Sequence, residues 1–97
     1  MPEKGAVKEI TRAKAKLPRQ YKVVIYNDDF TPMDFVVMIL KEIFNKGQEE
    51  AVALMMSVHE GSCAVVGVYT RDVAQTKAAL ATRLARENGY PLKVEAV

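Results

Sequence analysis

The side chains able to do chemistry in this 97-residue sequence are few: the consecutive Asn27, Asp28 and Asp29, the single histidine His59, the single cysteine Cys63, and the methionines Met33, Met55 and Met56. The polar triplet directly follows an apolar run. Asn and Asp satisfy nearby backbone groups, so a tight turn is one reading. The other is a cluster of acceptors facing a cation. A carboxylate beside an amide oxygen suits an ammonium group, which presents three N–H donors and a full charge. Met55 and His59 are four residues apart and share a face if the segment is helical. In the plainer reading His59 serves the last carbonyls of a helix and Met55 is core. In the sharper one Met33 and Met55 line a small apolar cavity, because an unbranched thioether adapts to varied apolar shapes. A cavity of that kind beside a carboxylate, an amide and an imidazole selects an ammonium attached to a bulky apolar group. The α-amino end of a polypeptide with a large first residue has that form.

Other chemistries find less support. One histidine and one cysteine are a poor basis for a metal site. Asp28, Asp29 and His59 suggest a hydrolytic relay only if a nucleophile accompanies them, and no Gly-x-Ser-x-Gly elbow or reactive cysteine context is present. The five glycines are scattered singly, which excludes a glycine-rich phosphate loop. Cys63 falls in a strand-like run and is expected to be a small buried apolar residue.

The elements that must position these groups follow from periodicity and punctuation. Tyr21 to Tyr26 is β-branched and aromatic and reads as a buried strand ended by the triplet. Thr31 is expected to cap a helix, with Pro32 in its first turn and Asp34 favouring its positive end. Phe35, Val36, Ile39, Leu40, Ile43 and Phe44 then form one broad apolar face. Lys46-Gly47 should break this helix. A second starts near Gln48, carries Ala51, Val52, Leu54, Met55 and Val58, and ends at a left-handed Gly61. Cys63 to Tyr69 reads as a second strand. Thr70 is expected to cap a third helix, with Val73, Leu80 and Leu84 as its apolar positions and a stop at Asn88-Gly89. A short last strand runs from Pro91 through Leu92 and Val94. The expected fold class is α+β: a three-stranded antiparallel sheet packed against three helices, in the order β-α-α-β-α-β.

Length and composition fit one domain with a packed core, since 49% of the residues are apolar. No run approaches the roughly 18 apolar residues of a membrane span. A single cysteine and no signal-like apolar start suggest a reducing, cytoplasmic setting. The net charge of +2 divides unevenly: residues 1–20 hold six basic and two acidic side chains (+4), and residues 21–97 hold eight and ten (−2). The first 20 residues therefore read as a mobile basic extension and residues 21–97 as the folded body. Such an arm suits an acidic partner or a nucleic acid, whose binding would weaken steeply with salt. The acidic body has no basic stripe, which disfavours the nucleic-acid module.

Taken together, Tyr21 through Val36 (Tyr-Lys-Val-Val-Ile-Tyr-Asn-Asp-Asp-Phe-Thr-Pro-Met-Asp-Phe-Val) closely resembles the opening of the ClpS family, bacterial adaptors of the ATP-dependent Clp protease. The resemblance continues through Met55 to His59, Gly67 to Thr70, Ala74 to Lys77, and Ala85 to Leu92. It implies a non-enzymatic adaptor that captures proteins beginning with Phe, Tyr, Trp or Leu and hands them to a ClpA- or ClpC-type AAA+ unfoldase for degradation by ClpP. By resemblance, Asn27, Asp28 and His59 hold the α-amino group. Asp29, Thr31, Met33, Val36, Met55, Val58 and Leu92 form the side-chain pocket, with Met33 helping to exclude β-branched first residues. Tyr69, Thr70, Asp72 and Lys77 match the unfoldase-facing surface, and the N-terminal extension serves delivery rather than capture. Phe30 stands where many members have Tyr, and Asp34 and Asp72 where many have Glu. The expected protein is a monomer without metal, cofactor, nucleic-acid partner or membrane contact.

Overall fold

The computed structural model describes residues 19–97. The elements are β1 (Gln20–Tyr26), α1 (Met33–Glu42), α2 (Gln48–Gly61), β2 (Cys63–Thr70), α3 (Arg71–Glu87) and β3 (Lys93–Ala96). The three strands form an antiparallel sheet in the order β2-β1-β3, so the first strand is central. This is the expected α+β architecture. The basic extension expected over residues 1–20 lies outside the described residues except at its end. There Arg19 sits 5.7 Å from the Tyr21 ring centroid and Gln20 opens β1. Among the described residues, no helix is long and apolar enough to cross a membrane.

One face of the sheet carries the core. Val23 and Ile25 of β1 are fully buried and pack with Phe35, Val36, Ile39, Leu40 and Phe44 from the first helical region, as the periodicity requires. Ala51 and Val58 bring in α2, and Leu92 and Val94 bring in the last strand. A bulge opposite Val23 and Val24 inserts Val66 into β2 and buries it.

Several expectations are corrected by local physics. The apolar face of α3 is an alanine row, Ala74, Ala78, Ala81 and Ala85, all buried, while Val73 and Leu80 are largely exposed. Alanines at this spacing let the helix lie close to the sheet; of the larger apolar side chains only Leu84 packs, half-buried, against the core. Cys63 is exposed, because it pairs across the ladder with Tyr26 on the face away from the core. The α1 helix begins at Met33, one residue later than expected, with Pro32 rather than Thr31 as its flanking residue. Thr70 does precede α3, but its hydroxyl makes no capping bond. The chain leaves α1 through Asn45 (φ 57°), with the Lys46 amide donating to the Leu40 carbonyl at 3.0 Å, so Asn45 ends the helix before Lys46-Gly47. Gly61 closes α2 in helical conformation, and Ser62 takes the positive φ of 74° instead. The α3 helix stops where expected, at Asn88, with Gly89 at φ 78°. The last strand starts at Lys93, two residues after Pro91.

Candidate functional site

The loop from Asn27 to Pro32 joins the end of the central strand to α1 and is built around one carboxylate. Asp28 Oδ1 accepts the amide N–H of Phe30 at 2.9 Å and that of Thr31 at 2.7 Å. Asp28 Oδ2 accepts the Thr31 hydroxyl at 2.8 Å. Burial pushes the Asp28 pKa up, but the Thr31 amide and hydroxyl, the Phe30 amide and the Arg86 charge together outweigh it. The carboxyl therefore lies below its ordinary value and is ionised at neutral pH. The turn reading of this triplet is realised, and the side chain that folds the loop also keeps a charge at its surface.

Asn27 links the loop to the end of α2. Its backbone N–H donates to the Ser62 carbonyl at 2.7 Å, and its Nδ2 to the His59 carbonyl at 3.5 Å. Asn27 and the exposed His59 side chain consequently share one rim.

A cavity of about 340 Å³ opens between this loop and the two helices. Asn27, Asp28, Asp29 and His59 line one side, and Met33, Val36, Met55 and Val58 line the other, with Phe30, Thr31 and Pro32 completing it. Val36 and Val58 are almost fully buried and form the floor, while Met33 and Met55 are partly exposed and stand nearer the mouth. Among the described residues, no lysine or arginine lines it. Two carboxylates on a lining that carries no cation, set beside an apolar well, favour a ligand that is cationic at one end and apolar at the other. Among the described residues, no group of three or more His, Cys, Asp or Glu is placed to hold a metal ion.

The cavity brings together every residue expected for the amino group and the side-chain pocket except Leu92. Leu92 is 1% exposed and belongs to the core rather than the lining. Its carbonyl is held at 2.8 Å by Arg86, which also binds the Tyr90 carbonyl at 2.9 Å, so Arg86 orders the turn into β3. Phe30 and Pro32 line the cavity and were not anticipated; an aromatic directly after the polar triplet was the available signal.

Tyr69, Thr70, Asp72 and Lys77 gather elsewhere, around the junction of β2 and α3. Thr70 pairs with Gln20 and Cys63 with Tyr26, so this junction lies at the opposite end of the central strand from the cavity loop. Seven residues of strand span about 20 Å. The Lys77 ammonium donates to the Ile43 carbonyl at 2.6 Å and lies 5.4 Å from the Tyr69 ring and 5.9 Å from the Phe44 ring. Tyr69 folds over Gly67, where an added methyl group would collide with the ring. Burial, assisted by Glu50, raises the Tyr69 pKa. Asp72 is exposed in the first turn of α3.

Comparison with known proteins gives a consistent result. The family model described as ATP-dependent Clp protease adaptor protein ClpS matches residues 16–95. A curated Clp protease adapter protein ClpS from Paraburkholderia xenovorans is 50% identical over 95 residues, covering 96% of this chain and 91% of the relative. Its counterpart from Deinococcus radiodurans is 46% identical over 92 residues, covering 95% and 81%. The solved structure of Agrobacterium tumefaciens ClpS2 bound to L-phenylalaninamide superposes with a TM-score of 0.81 at 42% identity, covering 84% of this chain and 98% of that one.

Proposed function

Since this chain belongs to the ClpS family of ATP-dependent Clp protease adaptors, and is on that account a non-catalytic adaptor, we propose that it captures proteins whose first residue is Phe, Tyr, Trp or Leu and delivers them to a ClpA- or ClpC-type unfoldase. Asn27, Asp28 and His59 receive the α-amino group. The first side chain enters the well formed by Met33, Val36, Met55 and Val58, with Asp29 and Thr31 on its rim and Leu92 supporting it from the core. The observation that carries this reading is the cavity itself, acidic and amide-lined on one side and apolar on the other. The ligand of the Agrobacterium relative is complementary to these two sides, with a free amino group and a benzyl side chain.

Magnitudes agree with this assignment. Burying one large side chain contributes about 2–3 kcal/mol. An ammonium taken from water needs several acceptors in return, and the rim supplies carboxylate, amide and imidazole. Acting as a monomer in the cytoplasm, the protein presents Tyr69, Thr70, Asp72 and Lys77 to the unfoldase, and residues 1–20 assist transfer.

The deciding experiment is fluorescence anisotropy with a labelled peptide that begins with Phe. The free peptide should bind and its N-acetylated form should not, because acetylation removes the charge and two of the three donors. Equal binding of both forms would reject the assignment.

A further inference from the structure

Phe30 is 78% exposed, yet it lines the cavity. A single exposed apolar residue is ordinary on a protein surface. This one is not isolated, because Met33, 44% exposed, shares the same lip. Nor is it loosely held: its amide and that of Thr31 both donate to Asp28 Oδ1, at 2.9 and 2.7 Å, which fixes the backbone on either side of the ring. Core packing does not account for a phenyl ring so exposed on so rigid a turn.

The proposed ligand gives the ring a task. Its first Cα directs the amino group to the Asn27, Asp28 and His59 side and the first side chain to the valine floor. The carbonyl must then leave through the mouth. The next Cα lies about 3.8 Å further on, at the level of the lip. We infer that Phe30 forms a second subsite, which receives the side chain of the ligand's second residue and favours an apolar or planar group there. The inference rests on the function proposed above and extends it from the first residue to the second. A ring with only two side-chain torsions offers contact area at low cost in conformational freedom.

The test is a two-by-two comparison, by calorimetry or anisotropy competition, of Phe-Leu-amide and Phe-Gly-amide on the full chain and on Phe30→Ala, with L-phenylalaninamide as the reference ligand. The unaltered protein should bind the Leu form about three- to tenfold more tightly. Phe30→Ala should bring that ratio to within about twofold of one, and Phe30→Tyr should retain it, since the coupling belongs to an aromatic ring at this position. An equal preference in Phe30→Ala, or no preference in the unaltered protein while L-phenylalaninamide binds, overturns the second subsite alone. Failure of L-phenylalaninamide to bind overturns the proposed function and the subsite with it.

Discussion

Thr31 donates twice to Asp28: its amide reaches Oδ1 at 2.7 Å and its hydroxyl reaches Oδ2 at 2.8 Å. One carboxylate thus organises the loop and charges the rim, and the two roles can be separated by substitution. Asp28→Asn keeps an acceptor for both amides but removes the charge. It should lower the melting temperature modestly, because the charge-assisted part of these bonds is lost, and weaken capture of a Phe peptide by about 1.5–3 kcal/mol, the range for a charge-assisted hydrogen bond. Asp28→Ala removes all three bonds and should in addition lower stability by about 1–2 kcal/mol. Thermal melts and anisotropy on both variants check this; equal capture by Asp28→Asn would show that the charge is not used.

The pH dependence has two separable limbs. The Asp28 carboxyl is depressed in the folded state, so its stabilising contribution is complete above the ordinary carboxylate value of about 3.9 and is lost only as pH falls through its lower folded value. An NMR titration should place its midpoint below that ordinary value. On the alkaline side, a free peptide amine loses its proton near 7.7–8.0. Affinity should therefore fall toward about tenfold per pH unit there. A flat alkaline limb would mean that the neutral amine binds equally well.

Met33→Ala should alter selectivity more than stability. The side chain is 44% exposed at the mouth, so little core packing is lost. Ile and Val are branched at Cβ and stiff at χ1, so under the proposed function their bulk should meet Met33 at the cavity mouth. The variant should bind Ile and Val peptides more tightly while Leu peptides change little, as read from an anisotropy panel. An unaltered Leu-to-Ile ratio would place the discrimination elsewhere.

Delivery should be separable from capture. Lys77→Met keeps most of the aliphatic stem and removes the ammonium from the Ile43 carbonyl and from between the Tyr69 and Phe44 rings. A stability loss of about 1–2 kcal/mol is expected, with peptide binding retained and unfoldase-dependent degradation reduced. Deleting residues 1–18 should likewise spare peptide binding and impair degradation. Loss of peptide binding in either variant would contradict the division of roles.

Much of this architecture was legible because its signals are local. The β-branched run gave β1, and the paired apolar positions from Phe35 to Phe44 gave the buried face of α1. Where size and burial part company, local reading failed. Val73, Leu80 and Leu84 are the large apolar residues of α3 and drew attention, yet only Leu84 packs against the core and the fully buried row is alanine, too small to stand out in a hydrophobic pattern. The site divides in the same way. The triplet, the methionines and His59 announced themselves by type. The placement of Leu92 in the core rather than in the cavity lining, and the bond from Lys77 to a carbonyl 34 residues away, depend on tertiary packing that no sequence window contains.

The knot of hydrogen bonds at Asp28 also bears on what is left to be ordered when a ligand arrives. The acidic rim is already fixed, so association loses little loop freedom on that side. The parts still free to rearrange are the two thioether side chains at the mouth, Met33 and Met55, each with three rotatable bonds. Differences among bulky ligands should therefore be written mainly in the entropy and dissociation rate set by those methionines, against a nearly constant enthalpic contribution from the amino group.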